Sequence, residues 1–415
     1  GKTSGNSVID NFIYESQLKT EDYDNNLEWI PYDRLQDIKP IGEGGFANIY
    51  SATWLDGEPI KYSKTKERSS PVTVALKKLK SSENKMEAFI NEVNFFNFNL
   101  IYCVYYFINY FVYQCKILHE CSSSGKLGSY CFIKLYGITK DPQTEEFIMV
   151  LQFAEYGNLR NYLKNNINNL NWEQKLNILY GIAYNLRSIH DKNYVHKDLH
   201  SGNILQFNND GTKITDLGQA QFINNYENSN TTNVCGVLPY IAPEVLDGKP
   251  YTFKSDIYSF GIIMVELSTG KPPYLNIPHD GKLALAICNG LRPRVAKGTP
   301  QCYIDLVNQC LDANPEKRPS TLELWEIIYN WLSDYNNKEF IDSDKFILQE
   351  SCETETNPEA VYTSRFMSFT NLSKPINSTG VQIEDPEGMI INFNCIFYIY
   401  LLTLGIFLFQ FQIHN

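Results

Sequence analysis

One ordered set of polar residues limits the folds open to this chain more than any other feature. The run His196-Lys197-Asp198-Leu199-His200-Ser201-Gly202-Asn203 is followed, thirteen residues after its Asn, by Asp216-Leu217-Gly218. This spacing supplies one positioned carboxylate and two oxygen ligands for a metal ion, which is what phosphoryl transfer requires of a protein. Asp198 is predicted to orient an acceptor hydroxyl and take its proton, and Asn203 and Asp216 to hold Mg²⁺.

Further motifs occur in the order that this chemistry needs. Ile41-Gly42-Glu43-Gly44-Gly45-Phe46-Ala47-Asn48-Ile49-Tyr50 is a glycine-rich turn between two β-prone runs, and Val74-Ala75-Leu76-Lys77 is a β-run that ends in a lysine. Glu92 lies among apolar residues at helical spacing. Ala242-Pro243-Glu244 follows the metal-binding triplet, and Asp256 opens an apolar helix. Either triplet or the glycine motif alone would fit an ordinary loop, but the ordered series is specific.

With these motifs in place, the chain resembles the eukaryotic protein kinases, of the serine/threonine type and in their tyrosine-kinase-like branch, from about Leu35 to Leu332. The resemblance implies an α+β fold of two lobes, a small β-rich N-terminal lobe and a larger α-helical C-terminal lobe. ATP would bind between the lobes. The implied activity is transfer of the γ-phosphate of ATP, with Mg²⁺, to Ser/Thr hydroxyls of protein substrates in intracellular signalling.

The resemblance also assigns roles to individual residues. The glycines of the turn lack side chains, so backbone N–H groups can approach phosphate oxygens. Lys77 would contact the α- and β-phosphates, held by Glu92 as an ion pair, while strand alternation points Lys78 to the opposite face. The catalytic set is Asp198, Lys77, Glu92 and His200. The nucleotide-binding set is Ile41, Gly42, Glu43, Gly44, Gly45, Phe46, Ala47, Ile49, Ala75, Lys77, Ala154 and Leu205, with Leu151 as gatekeeper.

Several positions depart from the family pattern, and three of them bear on the chemistry or the acceptor class. His200 stands where serine/threonine kinases carry a lysine; it could still donate to the γ-phosphate, but with a charge that depends on pH near about 6 to 7. Lys197 replaces an arginine and loses its bidentate fork. Val237 stands where a threonine is frequent, which leaves a tyrosine or dual-specificity kinase open. No Ala-Ala-Arg insert is present, so we favour Ser/Thr.

Other expectations concern regulation and stability. A phosphate on Ser229, Thr231 or Thr232 would pair with Lys197, although such residues are common in any polar loop. Glu244 and Arg318 are expected to form the family's buried ion pair. The remaining histidines, His190, His279 and His414, have no metal-like companions and are interpreted as ordinary surface or core residues.

The chain divides into four parts. Residues 1–34 are a helical lead-in, and 35–332 form the kinase domain, with an apolar insertion at about 94–124. Residues 333–388 are polar and predicted to be a flexible tail, and 389–411 are a candidate transmembrane or hydrophobic segment. Within the domain we predict strands at 72–79 and 147–153, an amphipathic helix from Trp172 to Ile189, and a hairpin joining 204–207 to 213–215.

Two uncharged stretches reach the length of a membrane span. Phe95 to Cys115 would, if it crossed a bilayer, separate Lys77 from Asp198, so we reject a span there and interpret it as an insertion, with translated intron sequence as a hypothesis. Ile390 to Phe411 fits a C-terminal membrane anchor, but no Lys or Arg flanks it, and a buried helix or a gene-model artefact fits equally well.

The amino-acid composition limits the kinds of molecule that this chain is expected to bind. The net charge of −11 and the lack of a Lys/Arg-rich run argue against nucleic acid. Ten cysteines without a CxxC pair indicate reduced thiols and a cytoplasmic protein, with membrane attachment only through the C-terminal segment. The sequence begins at Gly1 and has no secretory signal, so the true N-terminus of the protein could be missing. Nothing in the sequence indicates an oligomeric state.

Two rival functions remain at this point. The insertion after the predicted C helix could misplace Glu92 by more than the 1 Å or so that catalysis tolerates, which would make the chain a catalytically silent kinase-like scaffold. The apolar C-terminus would instead suit a membrane-tethered interaction module.

Overall fold

A computed structural model describes residues 3–19, 27–59, 67–80, 100–122, 132–208, 211–223, 233–334, 338–345, 356–369 and 372–377. Contacts divide the chain into one compact unit, Gly1–Ile376, and a second, Asn377–Asn415. Nearly all of the second unit, including the candidate anchor Ile390 to Phe411, lies outside the described residues. The described helices and strands all belong to the first unit.

The small lobe is a twisted sheet in which strand order is β1-β5-β6-β4-β3-β2. β1 runs parallel to β5, and the other pairs are antiparallel. One face of the sheet packs around Trp54, Leu76 and Val150, and the other face joins the main core. The predicted strands at 72–79 and 147–153 are confirmed, the second ending one residue earlier. The strands are β1 Glu28–Trp29, β2 Leu35–Glu43, β3 Ala47–Trp54, β4 Val72–Leu79, β5 Leu135–Lys140 and β6 Phe147–Gln152.

Two helices accompany the sheet, α1 Ser7–Lys19 and α2 Leu100–Ser122. α1 lies within the predicted lead-in, and α2 lies within the apolar insertion. α2 packs against α1 and β5 and buries Phe111 and Cys115 completely. The apolar residues of the insertion thus join the core of the small lobe. Among the described residues, no helix combines the length and the apolar character that a bilayer crossing needs.

The large lobe is helical. α4 begins with a capping box between Asn171 and Gln174, and it confirms the amphipathic helix predicted from Trp172. α6 is almost entirely buried, so its apolar sequence runs around the whole helix. The helices are α3 Leu159–Asn166, α4 Trp172–His190, α5 Pro243–Leu246, α6 Phe253–Thr269, α7 Gly281–Cys288, α8 Gln301–Cys310, α9 Thr321–Ser333 and α10 Lys338–Ser343.

Short strands in the large lobe form two-stranded sheets. β8 and β9 pair antiparallel, which confirms the predicted hairpin strands. β7 pairs with β10, and β11 pairs with β12. Their bounds are β7 Tyr194–Val195, β8 Ile204–Gln206, β9 Thr212–Ile214, β10 Gln221–Phe222, β11 Asn233–Gly236 and β12 Arg365–Ser368.

The predicted ion pair of the large lobe is confirmed. Both terminal guanidinium nitrogens of Arg318 contact the carboxylate of Glu244, Nη1 to Oε1 and Nη2 to Oε2, at 2.7 Å each. Both residues are buried, and the bidentate geometry joins α5 to the loop before α9.

The polar region 333–388, which was predicted to be a flexible tail, is packed against the rest of the structure over part of its length. Residues 356–369 pack on the large lobe, and β12 within them pairs with β11. For these residues the expectation was wrong, because a polar composition reports only that a segment cannot build its own core. It does not report that the edge of β11 offers backbone hydrogen bonds to a strand from elsewhere in the chain.

Candidate active site

Lys77 lies on β4 and is 7% exposed. Its Nζ contacts Asp216 Oδ1 at 2.7 Å, so the structure joins the lysine of the small lobe to the predicted metal ligand. Lys78 points to the opposite face, as predicted, and pairs there with Asp141 and Glu146. Glu92 lies outside the described residues, so its ion pair with Lys77 stays a prediction.

Asp256 of helix α6 positions the loop that carries Asp198. Asp256 is buried on α6, and its carboxylate accepts the backbone N–H groups of His196 at 2.8 Å and Lys197 at 3.0 Å. His190 at the end of α4 contacts the same carboxylate through Nε2 at 2.8 Å. His190 is thus a buried residue, which agrees with its interpretation as an ordinary surface or core residue, and it also supports the catalytic loop through Asp256. The signal for this role is a buried aspartate in an apolar helix, which needs partners from elsewhere.

Asp198 itself is buried at the bottom of the cleft, 4% exposed. Desolvation raises the pKa of its carboxyl group to about 7, although hydrogen bonds from Ser364 and Asn203 lower the pKa. Oδ2 accepts the hydroxyl of Ser364 at 2.6 Å, and Oδ1 has no hydrogen-bond partner among the described residues. The carboxylate is therefore in contact with an alcohol and retains unused acceptor capacity.

Asn203 and Asp216 have the chemistry of a Mg²⁺ site. The amide nitrogen of Asn203 donates to the backbone oxygen of Asp198 at 2.9 Å, so its amide oxygen is the atom suited to a metal ion. Asp216, in the left-handed conformation at φ 57°, presents its carboxylate next to Lys77. Within the described ranges no three His, Cys, Asp or Glu side chains cluster as a metal site. Two oxygen ligands fit Mg²⁺, which takes its remaining ligands from phosphate and water.

His200 differs from its expected behaviour. Burial and the nearby Arg160 lower the pKa of its imidazole well below the usual range. The ring is therefore neutral at a pH of about 6 to 7, and the prediction that its charge changes with pH in that range was wrong. Nδ1 accepts the N–H of Gly202 at 3.1 Å, which leaves the proton of the neutral ring on Nε2. Nε2 lies 3.2 Å from Ser364 Oγ and can donate to it.

The glycine-rich turn between β2 and β3 lies directly over Ser364. Gly44 N–H donates to Ala47 O at 2.8 Å, which closes the turn. A Cβ atom added to Gly45 would lie 2.2 Å from the carbonyl oxygen of Ser364, so this close approach requires glycine. The ring of Phe46, predicted to cover the nucleotide, packs edge to face against Phe366 at 6.0 Å.

The other predicted nucleotide-binding residues border the cleft from both lobes. Ala75 on β4 pairs with Leu151 on β6, Leu205 lies on β8, and Ala154 follows β6. Ile41 is exposed, while Ala47 is buried on β3. A small pocket behind them is lined by Lys77, Gln114, Leu118, Met149, Leu151, Thr215, Asp216 and Leu217.

Helix α2 contributes residues to this site that no sequence motif indicates. Gln114 and Leu118 line the pocket beside Lys77. The hydroxyl of Tyr110 donates to Gly218 O at 3.1 Å, and that of Tyr113 to Ala220 O at 3.3 Å. The insertion thus contacts the backbone just after Asp216. No local pattern in an aromatic-rich run reveals such a contact.

Comparison with known proteins agrees with this geometry. The profile of a family described as protein tyrosine and serine/threonine kinase matches residues 113–328, more than half of the chain. The chain belongs to the protein kinase family. The fold expected of a kinase, a β-sheet lobe followed by a helical lobe, is confirmed, and the family implies ATP and a divalent metal ion. The match does not separate the branches of the family, so the tyrosine-kinase-like branch stays a prediction.

Several curated kinases are similar to this chain. A probable serine/threonine-protein kinase of Dictyostelium discoideum is 30% identical over 216 residues, 51% of this chain and 13% of its own length. Another from that organism is 27% identical over 334 residues, 79% of this chain and 21% of its own length. The RGS domain-containing serine/threonine-protein kinase A of Dictyostelium discoideum is 30% identical over 185 residues, 43% of this chain and 16% of its own length. The chain therefore spans about a fifth or less of the length of these relatives.

Proposed function

We propose that this chain is an enzyme that transfers the γ-phosphate of ATP to serine or threonine hydroxyls of protein substrates, with Mg²⁺ as the metal ion. One observation carries the proposal. The buried carboxylate of Asp198 holds a serine hydroxyl at 2.6 Å, beneath the glycine-rich turn and next to the predicted metal ligands.

The predicted catalytic and metal-binding residues that the structure describes each have a role in this reaction. Asp198 orients the acceptor hydroxyl and takes its proton as the oxygen attacks, which is the work of a general base. Lys77 provides a point charge for the α- and β-phosphates. Asn203 and Asp216 would hold Mg²⁺, which when bound neutralises charge on the phosphate oxygens. The neutral ring of His200 donates from Nε2 toward the acceptor oxygen.

The geometry favours a serine or threonine acceptor over tyrosine. Strand β12 is hydrogen-bonded to β11, and this pairing holds Ser364, the residue just before β12, close enough for its short side chain to reach Asp198. A tyrosine ring on the same backbone would extend past the carboxylate. The names of the similar Dictyostelium kinases support the same acceptor class.

The activity is tested by incubating the full chain with labelled ATP, Mg²⁺ and casein as a general acceptor. We expect label in Ser or Thr after hydrolysis of the product. We expect Lys77→Met and Asp198→Ala to lower kcat, the second by about 10² to 10⁴, because a general base is lost. Chelation of Mg²⁺ by EDTA should abolish incorporation. If the wild type incorporates no more label than the two variants, the catalytically silent scaffold is the better description.

A further inference from the structure

The C-terminal segment, residues 356–369, follows the cleft from the large lobe toward the glycine-rich turn. Its first part is held by backbone hydrogen bonds. Asn357 N–H donates to Leu275 O at 3.0 Å, and His279 N–H donates to Glu359 O at 3.0 Å. The imidazole of His279 contacts Val361 O through Nδ1 at 2.8 Å. This part of the segment therefore has a defined register on the large lobe.

Tyr362 fixes the segment through its side chain. The guanidinium of Arg160 lies over the ring, 4.9 Å from the centroid, and donates from Nη1 to Tyr362 O at 3.0 Å. The Tyr362 hydroxyl donates to Pro273 O at 2.7 Å. A cation over an aromatic ring and two hydrogen bonds form a specific anchor two residues before Ser364.

Strand β12 fixes the segment on the other side of Ser364. Arg365 pairs with Gly236 and Phe366 with Cys235 in the antiparallel ladder with β11. The ring of Phe366 packs against Phe46 of the glycine-rich turn. The segment is thus bound in the way that an extended peptide adds a strand to an open sheet edge.

These two anchors select a single hydroxyl. Ser364 is buried, donates to Asp198 Oδ2 at 2.6 Å, and lies 3.2 Å from His200 Nε2. The side chain of its neighbour Thr363 is exposed. The register, and not the abundance of hydroxyl groups in this region, places serine at the catalytic carboxylate.

We propose that Ser364 is a phosphorylation site of this chain's own active centre, and that the C-terminal segment fills the substrate cleft until Ser364 is modified. The inference rests on the proposed kinase function. The Oγ atom of Ser364 attacks the γ-phosphorus of ATP and forms a new O–P bond. The bond from that phosphorus to the β,γ-bridging oxygen breaks, and ADP leaves with the electron pair. The hydroxyl proton passes to Asp198 Oδ2.

Modification would release the segment. Phosphoserine carries a charge of about −1.5 to −2 at pH 7 and would lie beside the carboxylate of Asp198 in a buried site. Of the nearby cations, Lys77 is paired with Asp216 at 2.7 Å, and Arg160 is held over the Tyr362 ring, 4.0 Å from the carboxylate of Glu266. Repulsion and desolvation therefore disfavour the bound state after transfer. Before transfer, a tethered segment competes with other substrates at an effective concentration on the order of millimolar.

The first test maps the phosphate. The full chain is incubated with Mg²⁺ and ATP at several protein concentrations, and modified residues are located by mass spectrometry. We expect phosphate on Ser364 with a first-order rate constant that does not change with protein concentration, because the acceptor is on the same chain. Ser364→Ala should lose this phosphate, whereas Thr363→Ala, at the exposed neighbouring hydroxyl, should retain it.

The second test measures competition with a synthetic peptide of residues 356–369. Ser364→Ala keeps the segment but removes its acceptor, so the cleft stays filled. Adding Tyr362→Ala to that variant loosens the anchor, and we expect the apparent KM for the peptide to fall about tenfold, equivalent to about 1.4 kcal/mol, with kcat unchanged. Adding Tyr329→Ala instead, at an exposed tyrosine of α9, should leave KM unchanged.

The outcomes separate this inference from the kinase function. A chain that phosphorylates casein or the peptide but leaves Ser364 unmodified overturns the inference and keeps the function. A rate constant that rises with protein concentration shows that the segment serves another molecule, which also overturns the inference. An absence of phosphate on every acceptor overturns both.

Discussion

At the scale of single residues, the site depends on burying an acid that has to ionise. Asp198 is 4% exposed, and desolvation raises the pKa of its carboxyl group to about 7. A general base works best when its pKa lies near the working pH, because a substantial fraction of it is then ionised and that fraction still accepts a proton readily. The same burial lowers the stability of the fold when the carboxyl group of Asp198 is ionised.

Replacing Asp198 with Asn should stabilise the fold at alkaline pH. Because the folded pKa of about 7 lies above the unfolded value of about 3.9, the folded state binds more protons between these values. Stability is therefore lost as pH rises through this window, and the loss is complete above pH 7 or so. We expect Asp198→Asn to raise Tm at pH 8, at about 2 to 4 °C per kcal/mol, and to change it little near pH 4. Differential scanning calorimetry at both pH values measures this.

A surface aspartate provides the control for this prediction. Asp191 is largely exposed and forms a loose pair with Arg187 at 3.6 Å, so Asp191→Asn should leave Tm unchanged at both pH values. A rise in Tm for Asp198→Asn of equal size at pH 4 and pH 8 would show that ionisation is not its cause.

At the scale of elements, helix α2 is the part of the kinase domain whose structure is hardest to predict from its sequence. Its composition suits a membrane span, an insertion or a buried helix. In the structure it lies against α1 and the sheet, and its tyrosine hydroxyls bind the backbone after Asp216. An apolar helix in this position supports the site and does not disrupt the residues that the structure describes there.

Truncating Phe111 measures how much α2 contributes to stability. Phe111 is 0% exposed and packs against Phe147 of β6, with ring centroids 6.2 Å apart. We expect Phe111→Ala to lower the free energy of unfolding by about 3 to 5 kcal/mol, because a buried ring is lost and a cavity remains. Denaturation in urea gives this value. Tyr14→Ala, at a 61% exposed ring on α1, should change it by less than about 0.5 kcal/mol, and equal effects would mean that α2 is not packed in the core.

At the scale of the whole molecule, the kinase lobes and the C-terminal segment belong to one compact unit, in which the segment contacts both lobes. β12 pairs with β11, Phe366 touches the glycine-rich turn, and Ile376 N–H donates to Cys288 O at 2.9 Å. Release of the segment should therefore be visible at both strands of the β11–β12 pair.

Hydrogen exchange before and after incubation with Mg²⁺ and ATP reports this release. We expect amides of Asn233–Gly236 and Arg365–Ser368 to exchange faster after phosphorylation, because their ladder hydrogen bonds are lost. The β8–β9 hairpin should exchange at the same rate in both samples. In the Ser364→Ala variant no site should change, and faster exchange there would mean that nucleotide binding alone opens the pair.

What could be predicted from the sequence is what depends on neighbours along the chain. The order of Lys77, Asp198, Asn203 and Asp216 indicated a kinase site, and the resemblance to that family implied the buried ion pair of Glu244 and Arg318 that the structure confirms. Strands β4 and β6, helix α4 and the β8–β9 hairpin followed from hydrophobic period and turn residues. Each of these signals is local, or belongs to a motif with fixed spacing.

Contacts between distant parts of the chain became visible in the folded structure and not in the sequence. His190 and the backbone of His196 meet on Asp256, α2 reaches the residues after Asp216, and Ser364 meets Asp198 across 166 positions. The polar composition of the C-terminal segment predicted a flexible tail, because composition measures whether a segment can bury its own core. Whether that segment finds an open strand edge and a buried carboxylate elsewhere is decided by how the whole chain folds.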